Sequence, residues 1–152
     1  MKRVILKPFF VIGISVRTSN ENGQAANDIP ALWNRFRSEN IGAKLINKTG
    51  EEVYSIYTDY EGDYTRPYTT ILGYAVENLE HIPDGMRGLA IEGGAYEKHP
   101  LKGNLLQGLV YNAWVDIWNS GISRAYTADF EVYGAAARNP DDAEVDIFIA
   151  TR

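Results

Sequence analysis

Two stretches of this chain carry the same order of local signals, and that repetition limits the folds open to it more than any other feature. "FFVIGISVRT" (9–18) is rich in β-branched residues and predicts a strand, and the polar run "SNENGQAAN" after it predicts a loop. A helix is expected over 28–39. Asp28 stands at the N-cap, Pro30 in the first turn, and Ile29, Leu32, Trp33 and Phe36 recur at helical spacing, with Asn40 and Gly42 at the end. "EVYSIYTDY" and "YTTILGYAVE" then form a hairpin across the solvated tip "EGDYTRP". Beyond the turn "IPDG" the order returns. "RGLAIEGGAYEKHP" predicts a strand broken or bulged at Gly93 and Gly94, and a helix spans roughly 103–119 with Leu106, Leu109, Val110, Ala113 and Ile117 on its apolar stripe. "SRAYTADFEVYG" and "EVDIFIATR" follow as strands. The sum is β-α-β-β twice over, an α+β chain with two main helices. "LWNRFRSEN" parallels "AWVDIWNSG", and "IYTDYE" parallels "AYTADFE". The 152 residues make one domain, 1–152, with halves near 1–80 and 86–152.

Composition narrows the function. A formal net charge of −5 without a basic stripe argues against nucleic acid, whose binding rests on Lys and Arg neutralising phosphates. The absence of cysteine removes disulfides, thiolate metal sites and cysteine nucleophiles, and fits a reducing cytoplasm, the expected location. The basic, apolar start is interrupted by Lys7 and Pro8, so it predicts a strand rather than a leader, and no run approaches the ~18 apolar residues of a membrane span. Ten tyrosines are the unusual feature, because a flat apolar body with one polar tip suits binding surfaces as well as cores.

Among candidate site residues Glu131 is the most informative. Alternation places Ala128, Phe130 and Val132 on one strand face and Asp129, Glu131 and Tyr133 on the other. That second face is either solvated or an acidic floor with an aromatic wall, the environment a lipophilic cation requires. Trp114 and Trp118 lie on the shoulder of the second helix, with Tyr111, where either core or cavity can claim them. Trp33 falls within the first helix's stripe, where core packing is favoured, and Tyr57 and Tyr74 sit on central strands, facing either way. His81 and His99 flank prolines in loop-like sequence and lack metal spacing; Asp59, Glu61 and Asp63 lack the rest of a calcium loop. No metal, cofactor or catalytic residue is expected, and the balance is against an enzyme.

The pieces "IPALWNRF", "IYTDYEGDYTRPYTTILGYAVENLEHIPDGM", "AWVDIWNS", "AYTADFEVYG" and "EVDIFIATR" resemble the GyrI-like small-molecule-binding family, the effector-binding domain of AraC-type regulators, and within it the stand-alone, integron-associated branch. The resemblance implies antiparallel modules related by a pseudo-twofold, a ligand cleft where they meet, and apolar, aromatic, often cationic ligands. It places an acidic pocket residue at Glu131, with Tyr133, Trp114, Trp118, Tyr57, Tyr74 and Trp33 as candidate lining. No helix-turn-helix is attached, so direct DNA binding is not expected. Two alternatives stay open: hydrolysis of electrophilic, cyclopropane-bearing compounds by a Glu–Tyr pair, and an interaction module serving a separate transcription regulator as protein partner.

Overall fold

The computed structural model describes residues 2–152. Its strands are β1 (Lys2–Leu6), β2 (Phe9–Thr18), β3 (Lys48–Thr58), β4 (Tyr68–Val76), β5 (Arg87–Ile91), β6 (Gly94–Gly103), β7 (Ala128–Tyr133) and β8 (Ala143–Ala150). Helix α1 (Gln24–Ser38) lies between β2 and β3, and α2 (Leu109–Trp118) lies between β6 and β7. All strands join one antiparallel sheet in the order β1-β6-β8-β7-β3-β4-β2-β5. Exchanging β1 for β5, β2 for β6, β3 for β7 and β4 for β8 reverses that order onto itself. The α+β class and the duplication expected from the sequence are therefore present, with a pseudo-twofold between β3 and β7.

Each module carries one strand more than the sequence suggested, and the extra strands are exchanged. β1 pairs with β6 of the second half, and β5 pairs with β2 of the first. Of the two readings of "RGLAIEGGAYEKHP", the broken strand is the one observed: it divides into β5 and β6 rather than bulging. β5 and β6 lie near opposite ends of the strand order with only Glu92 and Gly93 between them, and β1 reaches β2 across only Lys7 and Pro8. Connections this short require the sheet to curl until its ends meet. The inside of the curl is a core of Val11, Ile56, Ile71, Ile91, Tyr96 and Phe130, drawn from both halves. The outer face carries α1, whose Leu32 and Phe36 pack with Ile14 and Leu72 of the sheet, and α2, whose Ile117 packs with Ile147 and Ile149.

Tight curling needs a close strand crossing, which Gly13 and Gly73 supply as register partners. A Cβ at Gly13 would sit 2.0 Å from the Leu72 carbonyl oxygen, and one at Gly73 would sit 2.2 Å from that of Ile12. The obstacle is backbone rather than a side chain that can swing away. Gly13→Ala is expected to cost about 1–3 kcal/mol through forced strand separation, read as a lowered midpoint in thermal melts; a midpoint equal to wild type would show that β2 and β4 can part freely.

Both helix starts differ from expectation. α1 begins at Gln24, four residues early, because Ala25 and Ala26 favour helix and the Ala25 N–H bonds the Ser19 carbonyl. Asp28 accepts from the Gln24 side chain instead of capping, and Pro30 lies inside the helix. The second helix begins at Leu109 instead of 103. Gly108, at φ 76°, turns the chain out of a 3₁₀ turn capped by Asn104, and Leu106 is consequently exposed rather than on the stripe. His99 belongs to β6 rather than to a loop.

Candidate functional site

β3 and β7 adjoin at the pseudo-twofold, and their outward side chains enter a groove bordered by α1 and α2. The period-2 rule acts plainly on β7: Ala128 and Phe130 point into the curled core, while Asp129, Glu131 and Tyr133 point toward the helices. This second face is not solvated at its centre, for Glu131 is only 2% exposed and Asp129 is fully buried. Glu131 reaches a cavity of about 440 Å³, walled mainly by aromatic and aliphatic side chains.

Three donors converge on the carboxylate. The Tyr57 hydroxyl (2.8 Å) and the Trp114 indole N–H (2.7 Å) donate to Oε2, and the Tyr133 hydroxyl donates to Oε1 (2.5 Å). Each comes from a different element: β3, α2 and β7. Burial raises the Glu131 pKa above the usual carboxylate value, and the bonds from Tyr133, Trp114 and Tyr57 partly offset that rise. Burial, reinforced by the neighbouring carboxylate, pushes the Tyr57 and Tyr133 phenols well above their ordinary value, so both remain donors. The arrangement holds a negative charge rigidly in a place that water reaches poorly.

The remaining wall is a chain of ring contacts. Trp33 meets Tyr133 edge-on at 5.1 Å, Tyr57 meets Trp114 at 5.3 Å, and Tyr64 stacks on Trp118 at 5.2 Å with planes 7° apart. Glu131, Tyr133, Trp114, Trp118, Tyr57 and Trp33 thus all border the cavity. Trp33 also keeps the core role favoured by its stripe, through Phe36. Tyr74 is the exception. It shares the helix-facing side of β4 but lies beneath the C-terminal end of α1, stacked on Phe36 and under the Lys48 ammonium.

Sequence reasoning missed Tyr60 and Tyr64 in the β3–β4 connection, Tyr68 at the start of β4 and Arg124 before β7, all of which border the cavity. The connection is not a free solvated tip. Asn20 donates to the Tyr64 carbonyl and accepts from the Tyr68 hydroxyl, while Asp59 is paired with Arg87. A tyrosine every fourth residue in "YEGDYTRPY" was the available signal. Among the described residues no cluster of His, Asp and Glu is placed to hold a metal ion, and no helix is long and apolar enough to cross a membrane.

Comparisons with known proteins agree with this geometry. The chain is 27% identical over 144 residues to YobU of Bacillus subtilis (strain 168), whose name calls it a transcriptional regulator, covering 92% of this chain and 90% of that protein. The integron cassette protein VCH_CASS2 of Vibrio cholerae superposes with a TM-score of 0.77 at 28% identity, covering 99% and 95% of the two chains. SAV2435, solved bound to tetraphenylphosphonium, superposes at 0.81 with 15% identity, covering 99% and 93%, a likeness of fold. The model of the Cass2 family, described as integron-associated effector binding protein, matches residues 4–151, and the chain belongs to that family.

Proposed function

We propose that the protein binds lipophilic monocations in the cavity between its halves, with Glu131 as counter-charge and the aromatic wall as the apolar surround. The observation that carries this reading is a carboxylate 2% exposed, held by three donors, with no cation among the described residues bonded to it. Such a group is costly to bury alone. A ligand whose charge is spread over an apolar body would offset that cost, since it loses little hydration on entering and gains cation–π contacts of roughly 0.5–2 kcal/mol. That SAV2435 takes tetraphenylphosphonium on the same fold supports the choice of ligand class. Holding is favoured over hydrolysis because the phenol and indole donors are occupied in fixing the carboxylate, and the cavity wall, among the described residues, includes neither a histidine nor a serine.

The direct test is calorimetric titration with tetraphenylphosphonium, a permanent cation, across a range of pH. Uncharged groups face Glu131 from every side: Tyr57 on β3, Tyr68 on β4, Tyr133 on β7 and Trp114 on α2. Its proton is therefore the one that counts. A raised carboxyl pKa means that the carboxyl is protonated at pH values where an ordinary glutamate is already charged. Affinity is expected to be constant near neutrality and to fall as pH drops through that raised value, above the ordinary carboxylate range. Absence of binding at any pH, or affinity that ignores pH down to 4, would overturn the reading.

A further inference from the structure

The duplication of the fold extends into the cavity. Ser55 and Glu131 are register partners where β3 meets β7, so the local twofold of that antiparallel pair passes between them. Tyr57 and Tyr133 each lie two residues farther along their strands, and so stand on opposite sides of this axis with their side chains toward the helices. The helices complete the symmetry. Tyr57, of the first half, meets Trp114 on α2 at 5.3 Å with planes 75° apart, and Tyr133, of the second half, meets Trp33 on α1 at 5.1 Å with planes 81° apart. Two edge-to-face ring pairs of the same kind thus flank one carboxylate. That carboxylate belongs to both, since the Tyr57 hydroxyl donates to Oε2 and the Tyr133 hydroxyl to Oε1. Across the axis the symmetry is broken: Ser55, short and fully buried, stands opposite Glu131, so a single negative charge serves both sides. The four rings and Glu131 all border the cavity, and Trp33, Tyr57 and Tyr133 are only partly buried.

Building on the cation reading, we infer that the cavity selects cations whose charge lies between two aromatic arms, one arm for each tyrosine–tryptophan pair, over cations of equal size that carry the charge at one end. Position decides this. A charge set beside Glu131 with an arm on either side brings one arm to each ring pair. A charge at the end of a rod, set at the same place, sends its whole apolar body to one side, and the ring pair on the other side is left without a partner. Bulk does not separate the two kinds of ligand, because isomers bring the same apolar area. Hydrogen bonding to the carboxylate does not separate them either, since Tyr57, Trp114 and Tyr133 already occupy three of its acceptor positions and a quaternary cation has no donor to offer.

The test uses two isomeric quaternary cations, dibenzyldimethylammonium, with its charge between two benzyl arms, and (biphenyl-4-ylmethyl)trimethylammonium, with its charge at the end of a biphenyl rod. Both are titrated calorimetrically beside tetraphenylphosphonium. Wild type is expected to prefer the dibenzyl isomer by about tenfold, the upper range for one aromatic contact. In Trp33→Leu, which removes a ring from one pair and leaves Glu131 with all three donors, the ratio should fall to near one. The ratio within each protein is its own control, so altered stability does not mimic the result, and the wild-type ratio alone decides should the variant not fold. A wild-type ratio near one, or one favouring the rod, overturns the two-armed site and leaves the cation reading standing, as does a preference that survives Trp33→Leu. Binding of tetraphenylphosphonium with neither isomer bound overturns it as well. Should none of the three cations bind, the cation reading fails and the two-armed site falls with it.

Discussion

Glu131→Gln is expected to weaken tetraphenylphosphonium binding by roughly 1–3 kcal/mol, about 5- to 150-fold, because it removes the counter-charge and keeps the shape. Triphenylphosphine oxide, a neutral body of similar bulk, should lose far less. The fold should hold, since the amide oxygen can still accept from the Tyr57 and Trp114 donors and the Tyr133 hydroxyl can turn to accept from the amide nitrogen. Stability should move the other way from affinity. The raised carboxyl pKa means that wild type is relatively most stable below the unfolded glutamate pKa and loses that advantage as pH rises through the folded value. Gln carries no such dependence. The variant should therefore melt higher than wild type at pH 8, with the gap closing toward pH 4. Equal affinity losses for cation and neutral compound, or none for either, would remove Glu131 from ligand recognition.

The largest loss of stability is expected at the neighbouring charge pair. Arg124 and Asp129 are both buried, and Arg124→Met alone leaves Asp129 without its cation at 0% exposure. Breaking such a pair from one side costs about 3–5 kcal/mol, because the charge left behind has neither water nor partner. In a chain of this size that corresponds to a melting point lower by on the order of 10 °C. Adding Asp129→Asn should recover most of the loss, since the amide oxygen can still accept the Ala150 N–H and its nitrogen can face the Tyr60 hydroxyl. Thermal melts of the single and paired variants measure this directly. A paired variant no more stable than the single one would mean that Arg124 supports the fold through its ring contacts and not through Asp129.

Much of this was legible because local rules suffice for it. The duplication shows in the order of elements and in the paired tryptophan segments, and the aim of Glu131 follows from alternation on β7, which nothing in the tertiary structure disturbs. Tyr57 and Tyr74 mark where local rules end. Both face the helical side, but only position along the strands decides that one ends beside Trp114 and the other beneath Phe36. Arg124 and the tyrosines of the β3–β4 connection escaped for a related reason. A loop composition of Glu, Gly, Asp and Pro signals solvent, yet Asn20, fixed from another part of the chain, ties this loop against the cavity. The basic, apolar start has strand character, but the local signals place the first strand at 9–18, so neither "KRVIL" as a strand of its own nor its partner, reached in the register Lys2 to Lys98, was legible.

The exchanged edge strands set how the chain must fold. When the first half leaves the ribosome, β2 still lacks β5 and β1 still lacks β6, so each awaits chain not yet synthesised. Pairings of such high sequence separation form late, because loop closure is costly before the contacts that reward it exist. Neither half is then a folding unit in its own right. The cavity lies on the seam where the halves meet, so it comes into being only once the exchanged strands have paired, and a compound that filled it would act on the stability of the whole molecule rather than on one lobe.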